Sequence, residues 1–163
     1  NSINGGIDAS PPTTKLNIWL GTLSNNLLGY AQFPGGTAAT DGVVVLNRAF
    51  GSRLKFSSGY YLTNFDRGRT ATHEIGHWMN LRHMWGSGTC GDDFVGDTPQ
   101  ANASNTGCPI FPHLSTCIGT PIEMTMNYMD YSNDACMYMF TNGQKSRALS
   151  IFSVGGSRYL FAQ

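Results

Sequence analysis

Three histidines and a glutamate between His73 and His83 form the most chemically specific pattern in the chain. On an α-helix, His73 and His77 lie one turn apart on the same face, so two neutral imidazoles can bind one divalent metal ion. Glu74 lies about 100° further round the helix. That offset removes Glu74 from the set of metal ligands but leaves it beside an open coordination position, where a carboxylate can accept a proton from bound water. The pattern therefore predicts a zinc centre for hydrolysis, with Glu74 as the general base.

His83 is the expected third ligand, and it can reach the same ion only if the chain turns back after His77. Asn80 marks the expected turn, because after glycine asparagine is among the residues that most readily adopt the left-handed conformation that ends many helices. The opposite helix face carries an apolar stripe that can be buried while the histidines face a cleft: Ala71, Ile75, Trp78 and Met79. The alternative interpretation is a chance H-E-x-x-H match with ordinary surface or core histidines. The third histidine and the apolar stripe favour binding of one zinc ion over a chance match.

The composition of the chain excludes several other classes of protein. Its 163 residues suit one compact domain. Charged residues make up 12%, the formal net charge is zero and no run of Lys or Arg is present, so a nucleic-acid partner is not expected. No apolar run approaches the roughly 20 residues that span a bilayer. Residues 1–4 are too polar for a signal peptide, so an exported protein would have lost its targeting segment. The sequence does not indicate the oligomeric state.

Strand signals precede the histidine segment and helix signals follow it, which predicts an α+β fold. Residues 16–21 alternate between apolar and polar types, residues 27–33 form a short bent extended segment, and the β-branched residues 41–47 form the clearest strand. Thr141 and Gln144 fit a capping box, which predicts a final helix that ends at the glycines 155–156. Residues 86–119 are rich in Gly, Asp, Asn, Ser and Pro and are expected to form a long loop.

Four cysteines, Cys90, Cys108, Cys117 and Cys136, all follow the histidine segment. None forms a C-x-x-C pair, which argues against a second zinc site with sulfur ligands. An even number of cysteines in a loop-rich half favours two disulfides, for which three pairings are possible. The alternative is four buried free thiols in a reducing compartment.

Three carboxylates, those of Asp92, Asp93 and Asp97, cluster in the 86–119 loop. Calcium prefers several oxygen ligands, so this cluster is a candidate calcium site although it lacks the spacing of an EF-hand. Solvated loop acids are the alternative. The sequence alone does not separate these two interpretations.

Segments before, within and after the loop resemble the pappalysin/cytophagalysin family of metzincin zinc peptidases, and the resemblance extends from about Leu16 onward. The segments that carry it are residues 70–83, 91–99, 127–131 and 136–141. In metzincins a glycine occupies the position of Asn80. The resemblance implies that Met129 lies on a methionine-bearing turn beneath the metal, and that Tyr131 donates a hydrogen bond to the oxyanion of the reaction. It also implies the disulfides Cys90–Cys117 and Cys108–Cys136, and often bound calcium.

The same resemblance implies a role for the strand ahead of the metal helix, whose alternative role is that of a core strand. In metzincins an extended peptide pairs with the strand at the upper rim of the cleft, which would assign substrate binding to Gly42, Val43, Val44 and Val45. Family catalytic domains begin with a strand and a long helix for which this chain has no pattern, so the upstream part of the domain is expected to be missing or shortened. Residues 1–80 would form the upper subdomain of a single domain spanning residues 1–163, and residues 81–163 the lower one.

These observations lead to one functional hypothesis and two alternatives. The hypothesis is a secreted zinc endopeptidase, in which His73, His77 and His83 hold one zinc ion and an extended peptide or protein substrate lies in the cleft. The first alternative is a non-catalytic extracellular module that keeps zinc as a structural cross-link. Structural zinc sites normally close with four protein ligands, whereas this pattern offers three and a carboxylate, which favours catalysis. The second alternative is an inactive fragment of a metallopeptidase.

Overall fold

The structure, a computed structural model, describes residues 7–163 of the chain. Three strands form one mixed sheet: β1 (Asn17–Gly21), β2 (Gly29–Ala31) and β3 (Gly42–Leu46). Their order across the sheet is β1, β3, β2. Strand β3 runs parallel to β1, with Asn17 opposite Gly42, and antiparallel to β2, with Gly29 opposite Val45.

Strand β3 lies in the middle of this sheet, so the prediction that Gly42, Val43, Val44 and Val45 form the substrate-binding edge is wrong. Both of its sides are already paired, to β1 and to β2. The side chains of Val43 and Val45 are fully buried. A run of β-branched residues is typical of an interior strand with neighbours on both sides. The alternative interpretation as a core strand is the correct one, and the edge on the cleft side is β2.

Residues 7–163 also form three α-helices, α1 (Asn47–Phe50), α2 (Arg69–Trp78) and α3 (Asn142–Ser150). Three short 3₁₀ helices lie at Ala38–Thr40, Asp134–Cys136 and Tyr159–Ala162. Helix α2 packs against β2 and β3. Helix α3 begins with the predicted capping box, in which the Thr141 hydroxyl accepts from the Gln144 amide at 3.0 Å and the Gln144 side chain accepts from the Thr141 amide at 2.9 Å. The helix ends at Ser150, before the glycines at 155–156, because the following residues form separate turns.

Two apolar clusters hold these elements together. One lies between the sheet and α2 and contains Val43, Val45 and Trp78. The other lies where α2 gives way to the second half of the chain, and its buried members come from several segments: Leu81, Met84, Ala101, Met129 and Ala148. The histidine helix is therefore fixed on the side facing the sheet and again at its C-terminal end. The division into two subdomains near residue 80 stays a prediction.

Between Trp78 and Asp134 the described chain forms no helix or strand, as expected for the long loop region. Cys90 is bonded to Cys117 and Cys108 to Cys136, with Cα atoms 5.6 and 5.7 Å apart. No cysteine is free in the described part of the chain, so the prediction of two disulfides is confirmed and the alternative of free thiols is wrong. The pairing is the one that the family resemblance implies. These cross-links restrain a segment that has no sheet of its own.

Candidate metal centre and its cleft

Helix α2 carries His73, Glu74 and His77, and all three side chains are at least 93% buried. The start of the helix is fixed by Asp134, a buried residue from a 3₁₀ turn more than 60 residues later. Its carboxylate accepts hydrogen bonds from the backbone amides of Arg67 and Arg69 at 2.7 and 3.2 Å. A carboxylate at this end also complements the partial positive charge of a helix N-terminus.

A Schellman turn ends α2 and returns the chain toward the histidines. Asn80 has the left-handed conformation, with φ of 71°, as the sequence predicts. Its amide donates to the His77 carbonyl at 2.9 Å, and the Leu81 amide donates to the Gly76 carbonyl at 2.9 Å. These two bonds are the pair that defines this motif. The turn places the His83 ring beside those of His73 and His77, with ring centroids 5.1 and 4.5 Å away.

The Nε2 atoms of the three histidines converge on one point. His83 Nε2 lies 3.2 Å from His73 Nε2 and 3.0 Å from His77 Nε2. The Nδ1 atoms of the two helical histidines lie 2.6 and 2.8 Å from the backbone carbonyls of Tyr128 and Leu81. A carbonyl can only accept, so Nδ1 carries the proton and the Nε2 lone pair faces the common point.

Burial keeps these imidazoles neutral, which is the form that binds metal. Desolvation, reinforced by the neighbouring imidazoles, lowers the pKa of His73 and of His83 to about 3. Burial also lowers the pKa of His77. Within residues 7–163 no other group of three or more histidine, cysteine or acidic side chains has its ligand atoms this close together. Three neutral nitrogen donors with an open fourth side fit a catalytic zinc ion.

Glu74 lies beside this point on the same helix, with only 6% of its surface exposed. Burial raises the pKa of its carboxyl group to about 8. A nearby divalent cation would favour the ionised form and so would act against this shift. The side chain therefore combines a fixed position with a proton affinity that suits proton transfer near neutral pH.

Met129 lies beneath the histidine helix and is fully buried. Its sulfur lies 2.5 Å from the position that a Cβ atom on Gly76 would occupy. The backbone amide of Met129 donates to the Asn127 side chain at 2.9 Å, and Asn127 donates in turn to Gln144 of α3 at 2.7 Å. A side-chain network thus holds the segment that carries Met129. Its role as the floor of the metal site, which the family resemblance implies, stays a prediction.

Two aromatic side chains border the centre. Tyr131, predicted from the resemblance, has its ring centroid 5.0 Å from that of His83 and 5.5 Å from that of His73. Burial and the nearby Glu74 and Asp130 raise the pKa of its phenol, so it stays a hydrogen-bond donor. Trp85, which is not among the predicted site residues, stacks on His83 at 4.5 Å. An aromatic residue two positions after the third histidine was the available signal.

A cavity of about 460 Å³ opens in front of the histidines. Strand β2 borders one side, and residues 130–132 with Asp134 and Met137 border the other. Strand β2 is the last strand of the described sheet, so its outer edge has no strand partner. Edges of this kind can pair with an extended peptide.

The three loop carboxylates do not meet at one point. Asp97 accepts a hydrogen bond at 2.7 Å from the hydroxyl of Thr141, the N-cap residue of α3. Asp93 accepts from the Thr98 hydroxyl at 2.9 Å, and Asp92 accepts from a backbone amide of its own turn. They are not among the groups of potential metal ligands in the described residues. Calcium in this loop stays a prediction.

Comparison with known proteins identifies the family of this chain. A family model described as pregnancy-associated plasma protein-A, peptidase family M43, matches residues 16–152. The chain belongs to this family. Its members are the pappalysins that the sequence motifs indicate, so that prediction is confirmed.

Several extracellular metalloproteases are more than a third identical to the chain over the aligned residues. An extracellular metalloprotease of Arthroderma otae is 39% identical over 142 residues, which cover 82% of this chain and 49% of that protein. Extracellular metalloprotease 1 of Coccidioides posadasii is 38% identical over 144 residues, 84% of this chain and 49% of that protein. The chain thus spans about half the length of these relatives.

A solved structure confirms the α+β metzincin-like fold. Mature mirolysin of Tannerella forsythia, in complex with a cleaved peptide, superposes with a TM-score of 0.90 and 45% sequence identity. The match covers 99% of this chain and 61% of mirolysin.

No helix within residues 7–163 is both long and apolar enough to cross a membrane.

Proposed function

We propose that this chain is the metal-binding part of a secreted zinc endopeptidase. The observation that carries the proposal is the convergence of three neutral Nε2 atoms beside the buried carboxyl group of Glu74. The names of the fungal relatives support an extracellular metalloprotease. The cleaved peptide in the mirolysin complex supports a peptide substrate.

His73, His77 and His83 would hold a zinc ion, and such an ion would supply polarisation of the substrate carbonyl and a lower pKa for the attacking water. Glu74 accepts a proton from the attacking water, because its carboxylate lies next to the ligand set on the same helix. The same group then carries this proton to the leaving amine, so one residue serves as base and as acid. The Tyr131 phenol donates a hydrogen bond to the oxyanion that forms from the carbonyl.

The substrate binds as an added strand along β2. Its main chain pairs with the free outer edge of Gly29, Tyr30 and Ala31, and the cavity in front of the histidines receives a side chain. Main-chain hydrogen bonds can form with any extended peptide, so this edge would allow many different sequences to bind and be cleaved. Asp134 and Met137, which line the cavity, are in a position to contact that side chain.

Cleavage of casein or gelatin by the purified protein, with and without 1,10-phenanthroline, tests the proposal. We expect the chelator to abolish cleavage and added zinc to restore it. Glu74→Ala should retain zinc but lose at least about 10²-fold in activity, the lower end of what a general base contributes. Tyr131→Phe should lose activity to a smaller extent, and Tyr138→Phe, which changes an exposed phenol, should not.

Two outcomes would overturn the proposal in different ways. Stoichiometric zinc without cleavage of any unfolded protein would support a structural metal module or an inactive fragment. Full activity in Glu74→Ala would show that the chain hydrolyses peptides without this base.

A further inference from the structure

Gly29 of β2 lies directly against the side chain of Glu74. A Cβ atom at Gly29 would lie 2.8 Å from both Cγ and Oε1 of Glu74, and 2.9 Å from the carbonyl oxygen of Val44. Carbon atoms in folded proteins pack at about 3.5–4.0 Å. Any side chain at this position would therefore displace Glu74, the strand, or both.

The need for glycine at this position is a matter of space. Gly29 does not have a positive φ, unlike Gly42 or Gly68, so its backbone conformation is open to other residues. It is buried, and it pairs with Val45 in the regular antiparallel register. What the missing side chain provides is direct contact between the strand backbone and the carboxyl group of Glu74.

We propose that Gly29 is a positioning residue for Glu74. The inference rests on the proposed function. Strand β2 carries the free edge on which a peptide would pair, and Glu74 is held beneath the same strand. Close contact at Gly29 fixes the separation between the carboxylate and a peptide on that edge. A methyl group at Gly29 would push the two apart, and a misplacement of about 1 Å costs on the order of 10²-fold in rate.

Kinetics of Gly29→Ala provide the first test. We expect kcat to fall by about 10- to 100-fold, with the zinc content unchanged and a smaller change in KM. Gly21→Ala is the matched control, because Gly21 also lies in a strand of this sheet and a Cβ there meets nothing within 4 Å. The control should keep wild-type kcat. Wild-type kcat in Gly29→Ala would overturn the proposal.

A thermal-stability cycle tests the contact itself without using activity. Gly29→Ala should lower the Tm by several degrees in the wild-type background and by clearly less in the Glu74→Ala background, where the overlapping atoms are gone. Equal falls in both backgrounds would mean that the carbonyl of Val44 is the obstacle, and the proposal would be wrong. If Gly29→Ala does not fold, the double variant should fold. Failure of that variant as well would also reject the role.

The two experiments separate this proposal from the proposed function. If the wild-type protein cleaves no peptide, the proposed function fails and the proposal falls with it as a statement about catalysis. The stability cycle would still report whether Gly29 and Glu74 are in contact. If the wild-type protein is active and the cycle shows no coupling, only the role of Gly29 is rejected.

Discussion

The imidazole of His83 lies nearly parallel to the indole of Trp85, with 4.5 Å between ring centroids and 11° between ring planes. The other two histidines of the centre are oriented by hydrogen bonds from Nδ1 to backbone carbonyls. For His83, no hydrogen-bond partner of Nδ1 is present in residues 7–163. The ring of Tyr131 stands nearly perpendicular to both, at 5.0 Å from each. Stacking on Trp85 therefore orients the third ligand.

Replacing the indole should weaken metal binding. We expect Trp85→Ala to lower zinc affinity by about 10- to 100-fold, the range found when groups that orient metal ligands are removed. Trp85→Phe should lose less zinc affinity, because the smaller phenyl ring can still stack on His83. Competition with a chelator of known zinc affinity measures both values. Trp19→Phe is the control, since Trp19 lies on β1, and it should bind zinc as the wild type does.

Overpacking beneath the helix should destabilise the protein. In Gly76→Ala the new methyl group overlaps the sulfur of Met129, which is fully buried and has little room to move. Overpacking of this kind typically costs about 1–3 kcal/mol in the free energy of unfolding. Urea unfolding should show this loss, and Gly88→Ala, where a Cβ meets nothing within 4 Å, should show none of this overpacking penalty.

Combining Gly76→Ala with Met129→Ala tests the cause of that loss. Met129→Ala alone leaves a cavity and should cost about 2–5 kcal/mol. The new methyl group at residue 76 then has free space, so the double variant should be more stable than the sum of the single losses predicts. If the two stability losses simply add in the double variant, the methyl group at residue 76 does not overlap the Met129 side chain.

The metal ligands could be predicted because their signals are local. Helical periodicity places His73 and His77 on one face, and the conformational preference of Asn80 is sufficient to predict the turn that returns His83. Strand order is not local. The β-branched run in β3 showed that the segment would be buried, but whether a strand joined it on its second side depended on the short segment β2, which has only three residues.

Residues that act through close packing also could not be predicted from the sequence. Gly29 carries no chemical group, and its importance depends on Glu74, which comes from a different element. Trp85 lies next to the motif, yet stacking depends on the angle between two rings rather than on spacing. Asp97 was grouped with its neighbours in sequence, but its carboxylate turns toward Thr141 of the α3 cap.

The stability of the metal-free protein should be greatest near pH 6.5. Burial lowers the pKa of His73 and His83 from 6.5 to about 3, so below pH 6.5 the unfolded chain takes up protons that the folded chain does not, and stability falls. Burial raises the pKa of Glu74 from 4.5 to about 8. Between those values the unfolded chain loses a proton that the folded chain keeps, so stability also falls as the pH rises toward 8. Below pH 6.5 the effects of the histidines and of Glu74 on stability are opposite. The histidines decide the direction, because there are at least two of them and only one glutamic acid.

Thermal unfolding of protein treated with EDTA, from pH 5 to 8, checks this maximum. Glu74→Gln should remove the part of the decline above pH 6.5 that Glu74 causes, because glutamine does not titrate. His73→Asn should reduce the decline below pH 6.5. A flat profile in the wild-type protein would contradict both assignments.

Asp97 offers a test that separates a helix-capping role from the predicted calcium site. Its carboxylate accepts from the Thr141 hydroxyl at 2.7 Å and from the Gly143 amide at 2.8 Å, at the start of α3, and these bonds lower its pKa. Asp97→Asn should therefore lower the Tm at pH 7. The difference from wild type should shrink as the pH falls below about 3.8, because protonation of the wild-type carboxyl group then weakens the same bonds.

The response to calcium decides between the two roles. If capping is the only role, calcium and the calcium chelator EGTA leave the Tm of wild type and of Asp97→Asn unchanged. If the loop binds calcium, added calcium raises the Tm of the wild type, because a ligand that binds only the folded state stabilises it. In that case Asp97→Asn, and also Asp92→Asn, should lose the response if these carboxylates are ligands. The carboxylates of Asp92, Asp93 and Asp97 are engaged with separate donors, which supports the capping role of Asp97, and the calcium response tests the predicted calcium site.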